Sequence, residues 1–154
     1  MLRTSVIALL ASALALGGCA SSTRVDMALE GSGKLNPDLN GRPSPVVIRV
    51  IELKHPVAFE NAEFFSLYQQ PRETLTPDFL GSEELELRPG EVHDMKFIAQ
   101  EESRYLGVMA AYRDLSEANW RFVVPLNPKK QHNVRLYLDE KGIVEVAAQK
   151  KGRK

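Results

Sequence analysis

The sequence predicts a mainly β protein, a β-sandwich of seven or eight strands with one small helical insertion. Three observations predict it. Apolar and polar residues alternate at period two in several short segments, turn residues separate those segments at regular spacing, and only between residues 61 and 80 does the apolar period become helical.

Ahead of the first strand, residues 1–18 read as a secretory signal. Arg3 is basic, Val6 to Leu16 is free of charge, and Gly17-Gly18 is small enough for a peptidase cleft. Eleven uncharged residues are too few to span a bilayer, which takes about 20. Cys19, the sole cysteine, follows at once, and a lone thiol in an oxidising compartment has no disulfide partner. Leu16-Gly17-Gly18-Cys19 resembles the lipobox of bacterial lipoproteins. That resemblance implies removal of residues 1–18, a diacylglycerol on the Cys19 thiol and an acylated new amino terminus. Each buried methylene contributes about 0.8 kcal/mol, so such an anchor does not dissociate on a cellular timescale. Ala20, in place of the aspartate that retains enterobacterial lipoproteins in the inner membrane, implies sorting to the outer membrane.

Residues 19–22 then form a lipidated terminus and short linker, 23–148 the sandwich domain, and 149–154 a basic tail. The mature chain has 136 residues, the size of one domain. Its 19 basic and 20 acidic side chains balance, which gives no reason to expect nucleic acid. Lys150, Lys151, Arg153 and Lys154 form the one charge run, read as solvated or as attracted to anionic headgroups.

Thr23 to Leu29 alternates as a half-buried strand, with Val25, Met27 and Leu29 on one face. Gly31 to Pro45 is a loop by composition, and its fifteen residues exceed the usual connection enough to suggest a function. Its two leucines, Leu35 and Leu39, either pack back on the domain or serve contact. Val46 to Leu53 is a β-branched run suited to a central strand covered on both faces. Asn61 is placed to cap a helix over Ala62 to Tyr68, with Pro71 beyond its end. Thr76-Pro77 is placed to open a second helical turn through Leu80. Glu84 to Arg88 alternates, and Pro89-Gly90 predicts a type II turn leading into a hairpin with Val92 to Ile98. Tyr105 to Tyr112 reads as a buried strand whose Gly107 admits a close neighbour. Ser116 to Asn119 is a capped turn and Trp120 to Val124 extends again. Val134 to Leu138 and Ile143 to Ala147 form a second hairpin around Asp139-Glu140-Lys141-Gly142.

A search for catalytic groups points away from an enzyme. His55, His93 and His132 stand apart at spacings that suit no metal site, so neither a metal nor a cofactor beyond the lipid on Cys19 is expected. No Gly-x-Ser-x-Gly elbow or phosphate-cradling glycine loop occurs. The carboxylates Glu83, Glu84 and Glu86, and Glu101 with Glu102, read as solvated faces. What remains is a tethered contact module, whose candidate features are the long loop, the helical insertion, and Ala111-Tyr112-Arg113-Asp114 with Trp120-Arg121. Tyr112 and Trp120 also suit a core.

Several stretches resemble one family, the type VI secretion outer-membrane lipoprotein called TssJ. They are Leu35-Asn36-Pro37-Asp38, Asn40-Gly41-Arg42-Pro43-Ser44-Pro45 running into Val46 to Val50, Phe64-Phe65-Ser66-Leu67-Tyr68, Leu87-Arg88-Pro89-Gly90, and Val108 to Asp114 with Trp120-Arg121. The resemblance implies a transthyretin-like (immunoglobulin-like) β-sandwich with a helical insertion and a protruding loop between the first two strands. It also implies a place in the inner leaflet of the outer membrane, facing the periplasm of a Gram-negative bacterium. The implied partner is the periplasmic C-terminal region of the inner-membrane protein TssM, within a complex that also contains TssL. Carried over by position, the contact residues are Leu35, Asn36, Asp38, Leu39 and Arg42. The rival readings are another lipid-anchored binding or assembly module, marked by an apolar cavity or an open strand edge, and an enzyme with dispersed catalytic residues.

Overall fold

The computed structural model describes residues 21–147, so the signal segment, Cys19 and the basic tail lie outside the described residues. Eight strands form two four-stranded sheets. They are β1 (Arg24–Gly31), β2 (Val46–Leu53), β3 (Phe79–Leu87), β4 (Val92–Ile98), β5 (Tyr105–Ala110), β6 (Arg121–Pro125), β7 (Gln131–Asp139) and β8 (Gly142–Glu145). One sheet runs β4-β1-β7-β8 and the other β3-β2-β5-β6. All pairs are antiparallel except β1 with β7. Two such sheets face to face make the predicted sandwich.

Strand alternation decides which residues meet in the middle. Val25, Met27 and Leu29 of β1 and Val134, Leu136 and Leu138 of β7 face Val46, Ile48 and Val50 of β2 and Leu106, Val108 and Ala110 of β5. Each fully buried side chain of this kind contributes about 1.5–3 kcal/mol relative to exposure. The other face of β2 and β5 turns Ile51, Leu53 and Met109 outward, and there they bury Phe59, Phe64, Leu67 and Leu75 of the insertion. Strand β2 is thus covered on both sides, as its β-branched run, with Arg49 and Glu52 its only charges, predicts.

The insertion is three short helices, α1 (Val57–Asn61), α2 (Phe64–Gln69) and α3 (Pro71–Leu75). This corrects the sequence reading in two places. Asn61 ends α1, its side-chain amide donating to the Val57 carbonyl at 2.8 Å, and does not cap the next helix. Pro71 opens α3 at a first-turn position, whereas the Thr76 hydroxyl donates back to the Arg72 carbonyl at 2.6 Å, so Thr76 closes a helix where the sequence suggested an opening. A capping side chain serves either end of a helix, and short segments give no periodicity to choose between them. Helices of five or six residues are not stable alone. Two arginines of the sheet hold them: Arg121 donates to the carbonyls of Phe59, Glu60 and Ala62 at 2.8, 2.7 and 2.9 Å, and Arg49 to that of Tyr68 at 2.8 Å. Partial burial pulls the Arg121 pKa below its ordinary value, against the opposing charges of Glu63 and Glu60. Gly107 admits Phe59, whose ring lies 2.9–3.0 Å from where a β-carbon would stand.

A further correction concerns the Pro89-Gly90 turn. Its geometry is as predicted, with Gly90 at φ +77° and the Glu91 N–H donating to the Arg88 carbonyl at 3.1 Å. The two strands it joins, however, lie in opposite sheets. Alternation looks the same whether two strands pair edge to edge or face one another across a core. The turn docks on the end of β1, where the Gly90 N–H reaches the Gly31 carbonyl at 3.0 Å.

Candidate partner-binding loop

Residues 32–45 connect β1 to β2 across the sandwich, and their own bonds give them a fixed shape. The base is closed by the Ser44 N–H donating to the Leu35 carbonyl at 2.9 Å, while the Leu35 side chain is fully buried in the main core. Asn36, only 3 % exposed and at φ +45°, donates through Nδ2 to the Pro45 carbonyl and accepts through Oδ1 from the Arg113 N–H, both at 2.8 Å. Asparagine tolerates that left-handed backbone better than most residues. Leu35 and Asn36, predicted as contact residues, are both buried and hold the base of the loop.

The tip is built around Asp38. Its Oδ1 accepts the N–H groups of Asn40 and Arg42 at 2.8 and 2.9 Å, its Oδ2 accepts Arg42 Nε at 2.8 Å, and its own N–H donates to the Arg42 carbonyl. The backbone hydrogen bond from Arg42, opposed by some desolvation and reinforced by the Arg42 guanidinium, holds the Asp38 carboxyl below its ordinary pKa. Gly41 at φ +76° lets the chain reverse within these five residues. The whole arrangement lifts Leu39 entirely into solvent at 107 % relative exposure. Of the five predicted residues, Asp38, Leu39 and Arg42 come together on one tip.

Behind the tip lies a pocket of about 430 Å³ whose far wall is the β5–β6 connection. Asp114 organises that connection, its Oδ1 accepting from the Ser116 hydroxyl at 2.8 Å and its backbone carbonyl from the Ala118 N–H at 3.1 Å. Tyr112 is buried there, its hydroxyl without a hydrogen-bond partner among the described residues, and desolvation with Asp139 nearby pushes its pKa up, so it stays neutral. Trp120 packs edge-on against Phe64 at 5.1 Å and under Arg121 at 3.9 Å. Tyr112 and Trp120 are thus core and scaffold, one of the two readings their sequence allowed. Phe65 of α2 is the exposed aromatic of the insertion.

The loop also has a direction. Ser21 lies three residues ahead of β1, and the eight-residue strand carries the chain roughly 25 Å to the opposite end of the sandwich before the loop begins. The tip and Ser21, the first described residue, thus lie beyond opposite ends of β1. Among the described residues no helix is long and apolar enough to cross a membrane, and no group of three or more potential metal ligands occurs.

The model of the type VI secretion lipoprotein family, described as VasD, EvfM, TssJ and VC_A0113, matches residues 23–141. The chain belongs to this family. Members of it are type VI secretion lipoproteins. The crystal structure of the lipoprotein TssJ1 from Pseudomonas aeruginosa is similar at 35 % identity and a TM-score of 0.80, over 82 % of this chain and 97 % of that one. Lip from Serratia marcescens, described as a membrane-bound component of the type VI secretion system, shares the fold at 24 % identity and a TM-score of 0.75, over 80 % and 97 %. A chain in a structure described as the TssM C-terminal domain from EAEC shares it at 19 % identity and a TM-score of 0.68, over 81 % and 98 %. No curated protein sequence matches this one significantly. The sequence's resemblance to the TssJ lipoproteins thus holds, and the transthyretin-like sandwich it implies agrees with the two sheets.

Proposed function

We propose that this type VI secretion lipoprotein is a tether of the envelope-spanning complex. Lipid on Cys19 holds it in the inner leaflet of the outer membrane, and Asp38, Leu39 and Arg42 grip the periplasmic C-terminal region of TssM, in a complex that also contains TssL. One observation carries this reading: a bonded tip bearing a fully exposed leucine follows the far end of β1, the strand whose near end leads back through Ser21 toward Cys19. A leucine held in water by a bonded turn offers about 1.5–3 kcal/mol when a partner covers it. Because the tip is already ordered, binding pays little conformational entropy. The fold shared with a chain in a structure described as the TssM C-terminal domain supports the choice of partner.

The test is capture of the TssM periplasmic region by wild type and by Leu39→Asp with Arg42→Glu. Loss of capture with an unchanged far-ultraviolet spectrum is expected, and undiminished capture would sink the loop assignment. Deleting residues 33–43 is a poorer test, since it removes Leu35 from the core. For the anchor, Cys19→Ser should lose palmitate labelling, still bind TssM, and fail to support secretion. Normal secretion from that unlipidated protein would refute the tether.

A further inference from the structure

The pole opposite the loop has a defined surface of its own. Thr23, at the head of β1, is buried and pinned: its carbonyl accepts the Ala99 N–H and its hydroxyl the Lys129 N–H, both at 2.9 Å. The Arg24 N–H donates to the Lys130 carbonyl at 3.0 Å, which fixes the β6–β7 connection beside it. The direction in which the chain leaves toward Cys19 is therefore set by the fold. A pocket of about 600 Å³ opens at this exit, lined by Ser21, Ser22, Ile98, Arg104, Pro128 and Lys129 among others. Ile98 of β4 on its rim is 64 % exposed, the direct register partner of exposed Arg24 of β1.

The charges at this pole are unequal. Arg24, Lys129 and Lys130 are exposed and unpaired among the described residues. Glu102 pairs with Lys54, whereas Glu52, which accepts the Gln100 N–H at 2.8 Å, Asp26, which accepts from Gln131 Nε2 at 3.1 Å, and Glu101 keep their charge, so that with Arg104 the cations outnumber the free carboxylates. Two residues separate Cys19 from Thr23's neighbour Ser22, and an extended chain spans at most about 3.6 Å per residue. If Cys19 carries lipid, this pole stands within about 15 Å of the acyl chains, and the headgroup region itself is about 5–7 Å deep.

We propose that this pole is a membrane seat: Ile98 enters the interfacial region while Arg24, Lys129 and Lys130 meet anionic phospholipid headgroups of the leaflet that holds the Cys19 lipid. The inference rests on the Cys19 anchor. A short tether alone leaves the domain free to tilt; a basic, apolar-rimmed base turns it upright and aims the Leu39 tip away from the membrane. Attraction of this kind acts over about one Debye length, roughly 8 Å at physiological salt, and the short linker keeps the base within about 8–10 Å of the headgroups.

The experiment uses the full lipidated chain in vesicles. Because the Cys19 thiol is occupied, a fluorophore can be placed on Pro128→Cys at the base or Asn40→Cys at the tip, with a headgroup-level quencher lipid in the bilayer. In vesicles of phosphatidylglycerol and phosphatidylethanolamine, quenching at 128 is expected to exceed that at 40 several-fold. It should fall toward the tip value in phosphatidylcholine vesicles and in Ile98→Ser with Lys129→Glu and Lys130→Glu, whose melting temperature is checked separately. Equal quenching at the two positions in protein that floats with the vesicles overturns the seat alone. Insensitivity to both lipid charge and charge reversal also overturns it. Protein that does not float overturns the Cys19 anchor instead, and the seat with it.

Discussion

The side-chain oxygen of Asn36 accepts the backbone N–H of Arg113 at 2.8 Å, joining two connections 77 residues apart in the chain. The same side chain closes the base of its own loop through Pro45. One carboxamide thus ties the loop that bears Leu39 to the wall behind it.

Asn36→Ala removes both bonds and leaves the Arg113 N–H and the Pro45 carbonyl to find other partners, at a cost of about 1–3 kcal/mol. Chemical denaturation should show that loss. Partner capture should fall although Leu39 is intact, because the tip must then be ordered on binding. Unchanged stability would mean that water replaces the amide.

The two loop leucines should separate stability from binding. Leu35→Ala opens a cavity in the main core and is expected to cost about 2–5 kcal/mol. Leu39→Ala touches nothing in the fold and should shift the denaturation midpoint negligibly, yet weaken capture of the TssM region. The reverse pattern would invert the roles assigned to them.

Asp38 links loop order to acidity. Its folded pKa lies below the ordinary 3.8, so the order it contributes is complete above that value and is lost as pH falls through the folded pKa. Amide shifts of Asn40 and Arg42 should be flat at neutral pH and move only below about 3.8. Asp38→Asn should abolish that acid transition; a transition that persists belongs to another group.

Gly107→Ala places a methyl against the Phe59 ring, which must move by several tenths of an ångström. Overpacking of this kind costs about 1–3 kcal/mol. Phe59→Leu in the same chain should recover part of it, and a double-mutant cycle with no coupling would show that the ring is not the obstacle.

Arg121→Met deletes the donors that hold the carbonyls of Phe59, Glu60 and Ala62. Charged hydrogen bonds contribute about 1.5–3 kcal/mol. Hydrogen exchange in α1 and α2 should quicken more than in β1 or β7. Uniform quickening would mean that the insertion and the sandwich open as one unit.

Much of this architecture is legible in local pattern. The alternation of Val25, Met27 and Leu29, the β-branched run Val46 to Leu53 and the second hairpin before Ile143 each announce their element, because strand period and turn chemistry act between neighbours. The loop is legible too, since its glycines, prolines and asparagines exclude regular structure. The capping roles of Asn61 and Thr76 are not legible within the insertion, because helices of five or six residues carry too little periodicity to fix their ends.

By itself, the sequence determined the strands, the loop, the close approach at Gly107 and the resemblance to the TssJ lipoproteins. Only the tertiary structure decided that Leu35 is core while Leu39 stands in water, that Pro89-Gly90 crosses between sheets, and that Asn36 bonds to the Arg113 backbone. The reason is physical: alternation, turn preference and capping are interactions within a few residues, whereas burial and cross-chain hydrogen bonds depend on segments that meet only when the two sheets close on each other.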